Sequence, residues 1–449
     1  MISSHSSRPV LLPIMTLAVG VAFTLPANSM AAELFDDGTI RIEGNVQGVL
    51  GAIHSQDGYA QSETAKSGGR DWQEGFIKYG LETTYVMNAS KASLYGSVAG
   101  VSSATLGQGD AAGFTNGDER RTHVEDIYAG WRSGNAVPVL GADGIDFSVG
   151  RQRIQVGDGF LISGDALNFG EGLLEGDLDR GGAYYLAARQ SFENTAVLRL
   201  GGDQGWHGAL MWLKSGNSAQ AKAELAVATL ERASNAGTLG ATYIDVLDVD
   251  NDYAFLYPDR KNSRVYSLRA QGNAGVENLF LSSQYAWQET GANDHENAWY
   301  LEAGWTFTDL PWSPYVSYRF SRFSEQYDPL FYGNGRVLGT WFQGEVAANY
   351  AGPFNTNARV QQINLTLTPM KALTLGAMLY DFHTLSTDAG ANTSGNEIDL
   401  YALWAPSEHW WIMPLLGRYN PDVSADNGGT QLGGSGTNYY SQLLLGFNF

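Results

Sequence analysis

Four arginines set on separate strand-like segments, Arg189, Arg199, Arg269 and Arg319, carry the most specific chemistry in this sequence. A guanidinium stays charged at any working pH and holds carboxylates in a two-pronged fork. Several of them on one wall would attract and pass anions. When the apolar face of each segment sets its phase, these arginines fall on the opposite, inner face. Arg41, Glu43, Lys78, Asp126, Tyr128, Glu302 and Asp399 fall there with them. Cations predominate on that face, although the chain holds 47 acidic against 27 basic residues and a formal net charge of −20. The acidic excess must then sit in the loops, and nucleic acid is an unsuitable partner. The plainer reading of each wall arginine is an ion pair that braces the structure.

A second group, Asp245, Asp248, Asp250 and Asp252, gathers carboxylate oxygens near one loop, as a hard cation requires. Asp248, Asp250 and Asp252 are the candidates for a loop-bound calcium. The stretch lacks the sixth-position glycine of the helix-loop-helix calcium motif, so a solvated acidic loop is the default, and no other cofactor is indicated. Catalytic constellations are missing. There are no cysteines, the seven histidines are scattered, and neither Gly-x-Ser-x-Gly nor His-Glu-x-x-His occurs. His123, His383 and His409 read as interfacial residues near segment ends, and the chain does not read as an enzyme.

Inward arginines at alternate positions require strands to hold them. Segments of about ten residues alternate apolar and polar, the repeated pattern of membrane-spanning strands. Trp299, Leu301, Ala303, Trp305 and Phe307 share one face, against Tyr300, Glu302, Gly304 and Thr306. Leu279, Leu281, Tyr285 and Trp287 likewise oppose Phe280, Ser282, Gln284 and Ala286. At the end of the chain Leu443, Leu445, Phe447 and Phe449 alternate with Gln442, Leu444, Gly446 and Asn448. This resembles the terminal strand by which the barrel assembly machinery recognises bacterial outer-membrane proteins.

Strands are expected near 39–52, 72–86, 91–104, 120–132, 145–153, 181–192, 194–202, 206–214, 237–247, 261–272, 277–289, 297–308, 313–323, 358–368, 372–383, 396–405, 409–420 and 438–449. That is an even set of about 18, as a barrel with both ends in the periplasm needs. Short joins such as Glu193-Asn194 and Met370-Lys371 mark the periplasmic end. Long acidic or glycine-rich stretches at 53–71, 105–119, 154–180, 248–260, 324–357, 384–395 and 421–437 mark the outer end. Ala219 to Ala233, rich in Ala, Leu, Glu and Lys, reads as a helix in a long periplasmic turn, or as two further strands.

Before the first strand, one cation, Arg8, precedes an apolar run from Val10 to Ala27 and the small residues Ala31-Ala32, the layout of a secretory signal peptide over residues 1–31. Residues 32–449 then form the mature domain. No later apolar run approaches the ~20 residues of a membrane helix. With Gly 55, Tyr 23, Trp 12 and only 16% charged residues, the composition suits an all-β, antiparallel transmembrane barrel in contact with outer-membrane lipid and lipopolysaccharide. A barrel of this width encloses a lumen that its own side chains cannot fill. The loop at 324–357, with Tyr332, Trp341, Phe342 and Tyr350, is expected to fold into or over that pore, where its rings would stack on sugars.

The segments Gly150-Arg151-Gln152-Arg153, Tyr327-Asp328-Pro329-Leu330-Phe331-Tyr332-Gly333 and Gly339-Thr340-Trp341-Phe342-Gln343-Gly344-Glu345, with the strand count and terminal strand, resemble the alginate export family of outer-membrane proteins. The resemblance implies a monomeric barrel with a positive pore through which an anionic polysaccharide leaves the periplasm, fed by a periplasmic synthesis complex. It also implies that Arg151 and Arg153 are pore cations. Strict alternation from Phe147 and Val149 points Arg151 outward, so this role needs a bulge to re-aim it. The alternative function is an anion-selective uptake porin for small organic anions or oligouronates.

Overall fold

The computed structural model describes residues 31–87, 90–165, 181–202, 204–291, 295–336 and 343–449. Among them, eighteen strands form a closed antiparallel ring: β1 (Ile40–Ser55), β2 (Arg70–Val86), β3 (Ser93–Gly107), β4 (Arg120–Arg132), β5 (Ile145–Gln152), β6 (Phe192–Leu200), β7 (Gly205–Lys214), β8 (Glu224–Ser234), β9 (Gly237–Asp248), β10 (Arg264–Gly272), β11 (Leu279–Glu289), β12 (Glu296–Thr306), β13 (Tyr315–Phe323), β14 (Ala358–Met370), β15 (Leu373–Thr384), β16 (Gly395–Trp404), β17 (Trp410–Pro421) and β18 (Asn438–Asn448). Each strand pairs with its neighbours in sequence, and β18 closes on β1 from Gln47↔Asn448 to Ser55↔Tyr440. Closure leaves no unpaired edge, the condition for strands in a bilayer, where water cannot satisfy the backbone. Below the seam a short strand, Ala32–Asp36, continues the sheet along Arg41–Gly44.

Side chains follow the pleat. Leu210, Leu268, Leu301, Leu400, Leu416 and Leu443 are exposed on the outer face, while Met211, Ser267, Glu302, Asp399, Leu415 and Gln442 are buried on the inner one. Aromatic residues crowd the end with short turns, where Phe449 stacks on His409 at 4.8 Å and Phe447 lies 5.5 Å from Trp410. Rings at this level suit the interface of lipid with water.

Two expectations fail in compensating ways, so the count of 18 stands. The stretch 181–192 is not a strand up to Ser191. It turns inside the barrel, with Tyr184 packed on Phe114 at 4.6 Å and Leu186 N–H donating to Glu74. Its apolar run Ala183 to Ala188 serves packing within the lumen. The stretch 219–233 is neither helix nor two strands but mainly the single strand β8, with Leu225 and Val227 buried inward and Leu230 exposed outward. Its helix-favouring composition yields to the pairing of β8 with β7 and β9 along its whole length. Glu193-Asn194 accordingly lies in β6 rather than in a periplasmic turn, and the short turn follows Leu200 instead.

Candidate functional site

One sector of the inner wall, β1 to β6, carries a strip of charge from one mouth to the other. On β4 the inward positions Arg121, His123, Asp126, Tyr128 and Arg132 run from the long-loop end to the short-turn end. A bulge opposite Ala99 and Gly100 buries both Glu125 and Asp126. Lys78 of β2 meets Asp126 at 2.5 Å, and Arg189 lies 3.4 Å from His123. Toward the short turns Asp146 of β5 holds Arg132 at 3.4 Å and Arg199 at 3.7 Å, and accepts a hydrogen bond from Tyr95. Arg41 and Glu43 pair at 2.9 Å near the foot of β1. Arg153 stands where the chain leaves β5 for the lumen. It is exposed, makes no ion pair among the described residues, and is 3.5 Å from the Gln155 amide oxygen. Its place deep in the barrel disfavours the charged form and lowers the guanidinium pKa, a shift that nearby Glu125 and Asp126 only partly offset.

Two loop bodies lie against the inner wall, mainly outside this sector, while the segment 181–191 crosses β2–β4 within it. Ile154, Val156, Phe160, Leu161 and Ile162 are buried against Leu330 and Phe331 of the loop after β13. The two segments share backbone bonds from Ser163 to Phe331 at 2.7 Å, Gly333 to Gly159 at 2.8 Å and Gly335 to Asp158 at 2.7 Å. Charge pins this body to β12: Arg336 forks onto Glu302 at 2.6 and 3.1 Å and stands 3.4 Å from Asp158, which also accepts from Tyr300 at 2.6 Å. Burial opposes the charge on Arg336, but Glu302 and Asp158 outweigh it and hold the guanidinium well above its ordinary pKa. The second body, Gln343 to Ala351, rests on β15–β18 and β1–β2. Tyr350 packs 5.8 Å from both Trp72 and Tyr440, and the N–H groups of Val346 and Ala347 each donate to Glu397 at 2.8 Å. Farther out, buried Arg260 forks onto Asp328 at 2.5 and 2.6 Å. Asp165 accepts from Ser215 and Gly216, yet burial pushes its carboxyl up to about 7.

The residues singled out in the sequence separate into three groups. Arg153, Arg189 and Arg199 lie on the β1–β6 strip. Arg269 and Arg319 face inward but are tied to carboxylates, Arg269 to Glu231 at 2.7 Å and buried Arg319 to Glu302 at 3.7 Å. Arg151 corrects its expectation: a bulge is present and Gly150 adopts φ +125, but Arg151 pairs with Ile127, which is 53% exposed on the outer face. The extra residue bends the strand without turning Arg151 inward. Tyr332 lies in the first loop body, whereas Trp341, Phe342 and residues 1–30 fall outside the described residues. Asp248 and Asp250 are engaged by Lys261 at 2.6 Å and Lys222 at 3.8 Å, and no acidic group among the described residues converges enough to hold a metal. Arg132, Arg260 and Arg336 escaped sequence reasoning. Arg132 carried a signal, since it shares the phase of Asp126 and Tyr128, while the two loop arginines have no period to read.

No family profile matches the sequence, and no curated protein resembles it at the sequence level. Alginate export therefore gains no support. Solved structures do match the whole barrel. OccK5 (OpdH) of Pseudomonas aeruginosa has a TM-score of 0.56 at 8% identity over 90% of this chain and 98% of its own. OpdQ of the same organism has 0.56 at 11% identity over 91% and 97%. A BenF-like porin from Pseudomonas fluorescens Pf-5 has 0.57 at 8% identity over 91% and 98%. Such identities establish the fold alone: the chain is an 18-stranded transmembrane β-barrel with the architecture of the outer-membrane porins of Gram-negative bacteria.

Proposed function

We propose that this barrel is an uptake channel for small organic anions, with the β1–β6 strip as their path. The observation that carries the reading is Arg153, which is exposed at the entrance to the strip and has no carboxylate paired to it among the described residues. An anion entering the outer mouth meets Arg153 and Arg189 first, then Lys78, and leaves past Arg199 and Arg132. The interspersed acids keep each cation from binding so tightly that release stalls. The two loop bodies fold into the lumen and narrow it, which favours a small solute over a polysaccharide. Proteoliposomes holding the purified barrel should take up radiolabelled succinate or galacturonate faster than glucose. Equal rates for charged and neutral solutes would overturn the reading. Passage of long polyuronate chains at rates comparable to galacturonate would return the polymer channel to first place.

A further inference from the structure

The outer face carries a groove that the protein does not fill. Across β9 to β12 the outward positions Ala241, Ala270, Ser283 and Ala303 form a floor of small side chains within a ridge of larger ones. Two adjoining hollows of about 900 and 780 Å³ lie over it. Both are lined by Leu239, Trp299 and Leu301, of which Leu239 is 64% exposed. At two glycines elsewhere on this face a ring of the protein fills the equivalent space. The Phe447 ring occupies the space over Gly48, and the Tyr79 ring that over Gly100. Over Ala270 and Ser283 the two hollows remain, with Trp299 on their wall.

At the short-turn end of the groove stands Arg232. It is paired across the sheet with Trp206 and Leu239, both on the outer face, two residues before β8 ends at Ser234. Its guanidinium lies 5.8 Å from the Trp206 ring centroid, and it makes no ion pair among the described residues. Glu231, its neighbour in sequence, points inward to Arg269. An unneutralised arginine at the periplasmic edge of the apolar belt, above an alkyl-sized trough, has one natural complement in this membrane. We infer that the groove is a binding site for an inner-leaflet glycerophospholipid, with its phosphate on Arg232 and an acyl chain over Ala241, Ala270 and Ser283. Charge sets the register of the headgroup, and area burial holds the chain.

The test is native mass spectrometry of the detergent-purified barrel with added palmitoyl-oleoyl phosphatidylglycerol. One strongly retained adduct is expected, with the matching diacylglycerol, which lacks the phosphate, not retained. Arg232→Ala should lower the retained fraction about tenfold, the factor that one charge-assisted contact carries. Ala270→Trp should abolish the adduct by filling the floor. Both variants should keep the heat-modifiable mobility of the folded barrel, and if Ala270→Trp does not, Arg232→Ala carries the test alone. Retention of the diacylglycerol as strongly as the phosphatidylglycerol, or an adduct indifferent to Arg232→Ala, would overturn the assignment. A dimer mass that Ala270→Trp dissolves would overturn it in favour of a second copy of the chain.

Discussion

The two halves of the inner wall use the same residue types to opposite ends. Along β10–β13 every inward arginine is sealed beneath a loop or tied to a carboxylate, and its charge fastens protein to protein. Along β1–β6 the paired side chains keep part of their surface exposed, and Arg153 makes no ion pair among the described residues. Burial explains the difference. A charge taken out of water must be matched at close range, whereas a charge facing an aqueous lane can remain partly unspent. Identity at a position therefore says little about role, and the cover above it decides.

The largest effect that sharpens this contrast should come from Arg336→Ala. It would leave Glu302 and Asp158 buried with their main partner gone, a loss of about 3–5 kcal/mol for a buried pair broken on one side. The loop body should detach, and single-channel conductance should rise while the barrel stays folded. Unchanged conductance would break the claim that this body occupies the lumen. Next is charge reversal on the open side, Arg153→Glu. A unit charge about 4 Å from a permeant ion is worth about 1 kcal/mol in water, so reversal costs roughly 2 kcal/mol. The anion-to-cation permeability ratio should fall more than tenfold, while Arg269→Gln, on the sealed side, should change it far less.

A smaller effect should appear with pH at Asp165, which anchors the end of the first loop body to Ser215 and Gly216. Burial raises its carboxyl from the ordinary 3.8 to about 7. Because the folded form holds the proton more tightly than the unfolded one, the anchor is fully favourable below about pH 4 and weakens as pH rises through 7. Hydrogen exchange of the amides at 153–165, corrected for intrinsic rates, should quicken between pH 5.5 and 8, and Asp165→Asn should flatten that dependence. A flat wild-type profile would contradict it. The smallest expected effect is Arg151→Ala, which should leave selectivity unchanged because its side chain lies outside.

Legibility in the sequence followed the same division. Period two made the wall readable, so β1–β7 and β9–β18 begin and end within a few residues of expectation, and the phase of Arg199, Arg269 and Arg319 could be set in advance. The segment 181–192 misled because Ala183 to Ala188 is an apolar, aromatic run of strand length, yet Tyr184 and Tyr185 pack inside the lumen. The segment 219–233 misled because Ala, Leu and Glu favour helix wherever pairing does not decide. Loop contacts such as Arg336 with Glu302 join residues with no shared period, and no local pattern announces them. Whether a wall arginine is sealed or open depends on those contacts, so the path was the least legible part.

The central claim is that the open lane is selective for anions. A planar bilayer holding the purified barrel between unequal KCl solutions reads it directly through the reversal potential. The account predicts a potential of the sign set by chloride, moved toward zero by Arg153→Ala. A potential of the sign set by potassium would contradict it.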